Sequence, residues 1–164
     1  MAGCQMLITG RQNVERVGHM LTQVRNNYKI IGNQIVDSNS EIFYEELINT
    51  IEEQDFPPLS DKYVARKGLL GLDTRILIAT SEYLSSIQIR QVKGIQGKTA
   101  RHVGVDSNKK HKSSGLPMSE LALIMEYGTS DGRIPPRPHY SKAWNKALPK
   151  IRRNTLEIAR QMIR

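Results

Sequence analysis

Seven apolar residues, Val14, Val17, Leu21, Val24, Tyr28, Ile31 and Ile35, recur at spacings that alternate three and four without a slip. Only a helix places such a series on one face. Arg16, Gln23, Arg25, Asn26, Asn27 and Lys29 fill the other faces. Asp37-Ser38-Asn39-Ser40 interrupts the pattern, and Ser40 can cap a second helix by bonding a free backbone N–H. That helix would run from about Glu41 to Gln54, with Ile42, Leu47, Ile48 and Ile51 as its apolar positions. A long helix or a helical hairpin therefore opens the chain. Its stripe either packs on the rest of the domain or forms a coiled-coil, inter-subunit seam.

Phe56-Pro57-Pro58-Leu59-Ser60 ends this region, because proline removes a donor and restricts the residue before it. A short helix is expected over residues 60–67, ending near Gly68, and another helical turn from Thr80 or Ser81 through Leu84. The periodicity then shifts towards two. Ile87, Ile89 and Val92 alternate with Gln88, Arg90 and Gln91, and Val103 and Val105 with His102, Gly104 and Asp106. Both runs read as strands covered on one face, with Lys93-Gly94-Ile95-Gln96-Gly97-Lys98 as a hairpin connection. Ser107 to Gly115 is a basic loop of mobile character. Met118 to Tyr127 suits a helix or a buried strand equally. Gly128 to Gly132 is a turn and Ile134 to Pro138 is extended. A last helix from about Ser141 to Ile163 carries Trp144, Leu148, Ile151, Ile158 and Met162, and Pro149 either kinks it or begins its main part. The expected fold is α+β: an N-terminal helical arm (1–56), then a body (57–164) of a small antiparallel sheet with a C-terminal helix packed on it.

The net charge of +8 is unevenly spread: residues 1–56 carry 4 Lys/Arg against 8 Asp/Glu, residues 57–164 carry 20 against 8. Beyond a merely solvated surface, two readings follow. The basic part faces nucleic acid, or the two parts complement each other between neighbouring subunits. Aromatics are 5% of the chain, too few for a platform that stacks bases. No run approaches the ~18 continuous apolar residues of a membrane helix. Met1 to Gly10 lacks the basic start and the length of a signal peptide. Cys4 is the single cysteine and cannot form an internal disulfide, which fits synthesis in a reducing cytoplasm.

Catalytic patterns are sparse. There is no phosphate-cradling glycine loop, nucleophile elbow or zinc-protease motif, and His19, His102, His111 and His139 share no metal-ligand spacing, so neither cofactor nor metal is expected. Glu45-Glu46 and Glu52-Glu53 fall on a solvated helix face. Glu126 is the one acidic residue inside an apolar run, where backbone N–H groups of the adjacent turn or an arginine such as Arg137 would satisfy it. Lys109, Lys110 and Lys112 are candidate DNA-facing residues, since lysines neutralise phosphates without reading sequence.

The run Leu121-Ala122-Leu123-Ile124-Met125-Glu126-Tyr127-Gly128-Thr129, followed by Ile134-Pro135-Pro136-Arg137-Pro138, resembles a signature of the bacteriophage tail-component family of neck and tail-completion proteins, lambda Z-like in type. That signature is an apolar run into Glu-Phe/Tyr-Gly-Thr, a short loop, Pro-x-Arg-Pro and a C-terminal helix. Pro57 to Gly68 and Ser81 to Ile87 are similar to the family's middle, so the resemblance spans roughly residues 57–150. The chain departs from the pattern at His139-Tyr140, where Phe-Leu is usual, and at Ser141-Lys142, where Arg-Pro is common.

The motif also has a physical sense of its own. Gly128 permits a positive φ, Thr129 can fix the turn, and Arg137, held between Pro136 and Pro138, suits a fixed carboxylate or carbonyl. Glu126 is the expected partner, within a subunit or across to a neighbour; Glu126, Tyr127, Gly128, Thr129, Pro136, Arg137 and Pro138 are thus candidate structural and interface residues. The resemblance implies a non-enzymatic virion protein, a homo-oligomeric ring in the neck or tail. It would join or complete the tail beside head-closure and tail terminator or tube proteins, leaving a channel through which DNA passes. The rival expectation is a nonspecific DNA-binding protein that uses the basic C-terminal part.

Overall fold

The computed structural model describes residues 2–78, 81–94 and 99–161, with side chains described from Val14 onward. It is α+β. Helix α1 (Ala2–Glu52) is followed by α2 (Asp61–Leu69), α3 (Glu82–Ser86), strands β1 (Ile87–Lys93) and β2 (Thr99–Val105), then α4 (Met118–Tyr127) and α5 (His139–Gln161). No helix among the described residues is long and apolar enough to cross a membrane.

The break expected at Asp37–Ser40 is absent, and α1 continues through it. Ser40 does not cap a second helix; its hydroxyl donates back to the Val36 carbonyl at 2.6 Å. Tertiary contacts outweigh the weak helix propensity of this polar quartet. Asp37 pairs with Arg101 of β2 at 2.6 Å. Asn39 and Ser38 interlock with Asn154 and Thr155 of α5 at 2.8–3.0 Å. The residues that read as a terminator are a polar zipper between helices.

Helix α5 runs antiparallel to the C-terminal half of α1. Ala143 and Ala147, one turn apart on α5, are fully buried, as are Leu47 and Ile51 on α1. Small residues on one helix let the large ones of the other approach closely. Pro149 is not the first residue of a helix; α5 passes through it on its exposed side. There the carbonyl that proline leaves unbonded can meet water. The rim is ionic: Lys142 reaches Asp55 at 2.9 Å, Lys150 reaches Glu46 at 2.5 Å, and Lys146 pairs with Glu53. Much of the opposition between acidic and basic parts is thus met inside one chain, a possibility that neither charge reading contained.

Strands β1 and β2 pair antiparallel with Ile87 opposite Val105 and Ile89 opposite Val103. Lys93 and Gly94 of the connection are described, and its residues 95–98 lie outside the described residues. Arg101 and Thr99 reach Asp37 and Asn33, so the face carrying Ile87, Ile89, Val103 and Val105 lies towards α1. The core joins Leu47, Ile51, Ile78, Tyr83, Ile87, Val105, Met118, Ala122 and Ala143. Its contributors include the second half of the 1–56 segment. Where α1 ends, Gln54 takes a positive φ of 55°. Its side-chain amide accepts from the Ile76 N–H at 2.6 Å and donates to the Ile76 carbonyl at 3.0 Å. The basic loop is closed by backbone bonds: Met118 N–H donates to Lys109, His111 N–H to Leu116 and Gly115 N–H to His111.

Burial predicts an uneven response to truncation. Leu47→Ala should cost about 2–5 kcal/mol in urea unfolding, because the Ala143 and Ala147 backbone cannot collapse far into the space. Leu70→Ala, at a position 62% exposed, should stay within about 0.5 kcal/mol of the parent.

Candidate functional site

Helix α4 stops where its sequence changes from apolar to Gly-Thr. Gly128 has φ 77°, and a Cβ there would lie 2.7 Å from the Ile134 carbonyl oxygen. No other residue fits, since both the backbone angle and the crossing chain exclude a side chain. Thr129 closes the loop twice: its N–H donates to the Ile134 carbonyl, and its hydroxyl accepts from the Ile134 N–H, both at 3.0 Å. Asp131 is held below the ordinary carboxylate range, first by the Thr129 hydroxyl and then by the Arg133 N–H. The extended segment then returns across the end of α4, where Arg137 N–H donates to the Met125 carbonyl at 2.7 Å. That bond satisfies one of the orphan carbonyls at the helix terminus.

The expected Glu126–Arg137 pair does not form within the protomer. Glu126 turns the other way and serves as the cap of α5, a helix with no acidic residue in its own first turn. One carboxylate oxygen accepts from Tyr140 N–H at 2.9 Å; the other accepts from Ser141 N–H at 2.9 Å and the Ser141 hydroxyl at 2.5 Å. Both oxygens are therefore committed to the first turn, where a negative charge also meets the positive end of the helix dipole. Of the two partners foreseen for this carboxylate, backbone N–H groups prevail, those of α5 rather than of the turn beside it.

Arg137 is buried and donates through Nε to the Pro57 carbonyl at 3.4 Å. Among the described residues no carboxylate lies within ion-pair distance of it. Lys67, also buried, donates to the Arg75 carbonyl at 2.8 Å and sits 5.5 Å from the Tyr63 ring centre. Burial pushes the Lys67 ammonium below its ordinary range, Asp73 opposes this, and the nearby Arg137 charge adds to it. Burial lowers Arg137 as well, against the opposing influence of Tyr63. Among the described residues neither cation has an ion pair: Arg137 ties the proline segment to the body through the Pro57 carbonyl, and Lys67 ties α2 to the loop that follows it through the Arg75 carbonyl.

Behind Glu126 lies a polar network that the sequence did not disclose. His139 is fully buried. Its Nδ1 lies 2.9 Å from the Arg137 carbonyl, which can only accept, so Nδ1 carries the proton. Nε2 then accepts the Tyr83 hydroxyl at 2.5 Å. The Tyr140 hydroxyl in turn accepts from Val105 N–H at 3.2 Å, joining the start of α5 to the sheet. Burial raises Tyr83 and Tyr140 above the ordinary phenol range and lowers His139 below the ordinary imidazole range. His139, Tyr140 and Ser141 are three of the four positions, 139–142, where the sequence differs from the signature it resembles, and all three carry these bonds. That departure was the one available signal for them.

The remaining candidate residues separate by exposure. Tyr127 is 73% exposed and Leu123 60% exposed. Both border an open groove of about 670 Å³ between the outer face of the sheet and α4, lined also by Arg90, His102, Val92 and Tyr140. Pro136 is exposed and Pro138 half-buried. Lys109, Lys110 and Lys112 are exposed, Lys112 lying 3.5 Å from Glu82. Of the stripe on α1, Val14, Val17, Leu21, Val24 and Tyr28 are exposed and Ile31 and Ile35 half-buried. Among the described residues no group of three His, Cys, Asp or Glu is placed to hold a metal. Comparison with protein-family models, with curated proteins and with solved structures finds no match to this chain.

Two outcomes follow from this geometry. Glu126→Gln places an amide N–H₂ against helix N–H donors and should lower unfolding free energy by about 1–3 kcal/mol, whereas exposed Glu120→Gln should not. Because folding depresses the His139 pKa, its contribution is present above the imidazole's unfolded pKa near 6.5 and is lost as pH falls below it. Urea midpoints measured from pH 7.5 to 5.5 should therefore fall, and should fall less in His139→Phe.

Proposed function

We propose that this chain is a structural subunit of a bacteriophage neck or tail, working by shape and contacts rather than by a chemical step. Copies would form a ring that joins or completes the tail at the head–tail interface, against head-closure and tail terminator or tube proteins, and would leave a channel for DNA. One observation carries the reading. The two separated parts of the family signature, Glu126 to Thr129 and Pro136 to Pro138, pack as a single unit: one end closes over Gly128 and the other orders the first turn of α5. A signature whose halves need each other in three dimensions is better support than two short matches in a sequence.

Burial changes how the site serves assembly. Glu126 and Arg137 are spent inside the protomer, so neighbours would meet other surfaces: Tyr127 and Leu123, which this unit positions beside the groove, and the exposed part of α1. The basic loop supports the rival reading, nonspecific DNA binding, through three exposed lysines on one hydrogen-bonded turn.

A phage that lacks this chain should accumulate filled heads and tails that fail to form stable joined particles, and supplying the chain should restore them. Intact infectious particles in its absence would refute the neck reading. Fluorescence anisotropy with duplex DNA tests the rival. DNA binding by the basic loop would show steep salt dependence, and replacing Lys109, Lys110 and Lys112 with alanine should then reduce the slope of log K against log salt by about 3. Affinity unaffected by that change would exclude the loop as the contact.

A further inference from the structure

Helix α1 outruns its own body. Asn33 and Asp37 meet the β-hairpin through Thr99 and Arg101, and Ser38 and Asn39 meet α5. From Val14 to Ile30 every residue is exposed. At 1.5 Å per residue the part of α1 ahead of Asn33 extends about 45 Å. A helix without tertiary contacts is marginal in water even for good helix formers, and Gly18 lies in the middle of this one. Its apolar side is also large: Val14, Val17, Met20, Leu21, Val24 and Tyr28 are each half or more exposed. Together they present on the order of 600 Å² of apolar surface, near the ~800 Å² that each partner gives a standard interface.

The period identifies what covers it. An isolated helix repeats every 3.6 residues, and a strict alternation of three and four drifts from a straight helix by about 20° per heptad. Val14, Leu21, Tyr28 and Ile35 occupy one heptad position (a), and Val17, Val24 and Ile31 the other (d). Three unbroken heptads of this kind suit another helix wound left-handedly against the first, rather than the groove of a globular body. The flanking positions e and g hold Gly18, Met20, Arg25, Asn27, Gly32 and Gln34, a single charge among six. Identical arms can therefore approach without a row of like charges, and the seam lacks the charge pattern that selects a foreign helix. All three d positions are β-branched and Leu21 stands at an a position, a distribution that favours more than two strands.

We infer that residues 14–35 form an oligomerisation stem, in which the α1 arms of three or more copies of this chain wind into one left-handed coiled coil. This deepens the assembly reading by naming the surface through which copies meet, but it requires only self-association and not a place in the phage neck. Each body would then stand at the end of its arm, and Ile31 and Ile35, half-buried already, would mark where the shared stem passes into the single protomer.

Sedimentation equilibrium of the full chain, over about a hundredfold range of concentration, tests this. The parent should fit a trimer or larger species. Val17→Glu with Val24→Glu should weaken association at least tenfold while leaving the cooperative unfolding of the body intact. Asn26→Glu, at the heptad position furthest from the seam, should leave association unchanged. Because two buried charges are a severe change, Leu21→Ala supplies a milder reading and should weaken association with no loss of folded protein. A monomeric parent, an oligomer indifferent to the Val17 and Val24 changes, or a dimer as the end state would each overturn the proposal. If the parent oligomerises through the stem yet phage particles assemble normally without the chain, the neck reading fails and the stem stands.

Discussion

The contact between the second half of α1 and α5 is the constraint on which the remainder depends. Leu47 and Ile51 against Ala143 and Ala147 exclude water completely from the middle of the helix pair. The Asn39–Asn154–Thr155 zipper and the Lys142, Lys146 and Lys150 pairs then fix its register from both sides. The Lys142 and Lys146 pairs are exposed, and pairs of that kind contribute little to stability, while Lys150 answers a carboxylate, Glu46, that is itself buried. The zipper supplies the selectivity, because a slip of one turn would take Asn39 away from both Asn154 and Thr155. Once the two helices are in register, the sheet can lie along α1, and the Ile87 and Val105 end of the hairpin closes the core.

That register makes the capping of α5 consequential. A helix of this length begins at a point chosen by tertiary structure, and here a carboxylate from α4 chooses it. Glu126 accepts two amides and a hydroxyl from the first turn, while Arg137 N–H takes up a carbonyl near the end of α4. The end of one helix and the start of the next are thus each other's caps, joined through a loop that only Gly128 allows. His139 locks the joint to α3 through Tyr83, and Tyr140 locks it to β2 through Val105. Neither Glu126 oxygen nor either His139 nitrogen is left free of a bond within the protein, which suits a positioning unit rather than a proton-transfer site.

The general fold was legible because its signals are periodic. A stripe at spacings of three and four, two short alternating runs and an amphipathic last segment sufficed for helix, hairpin and helix. What was not legible came from side chains whose partners are distant in sequence. Ser40 looks like a cap because serine bonds free N–H groups well, and nothing local reveals that Asn154 and Thr155 wait opposite its neighbours. Ala143 and Ala147 escaped notice because periodicity was read from large residues, while close helix packing is carried by small ones. Glu126 was recognised as special from its apolar surroundings. Of the two kinds of partner expected for it, backbone N–H groups and an arginine, the first prevails, because two aligned amides at a helix end offer a carboxylate comparable stabilisation without bringing a second charge out of water.

The charge distribution illustrates the same limit with a further consequence. Counted along the chain, an acidic arm and a basic body invite pairing between subunits or with nucleic acid. In three dimensions the acidic residues cluster where α1 crosses α5 and β2, and Asp37, Glu46, Glu53 and Asp55 are answered there by the chain's own cations. The projecting part of α1 is left with Glu15, Arg16, Arg25 and Lys29 among its described residues, too few and too dispersed to steer a partner over distance. In the proposed stem, attraction between arms would therefore come from the apolar stripe itself. Such attraction is short-ranged and indifferent to salt screening, so the proposed association would depend on complementary shape and period rather than on charge.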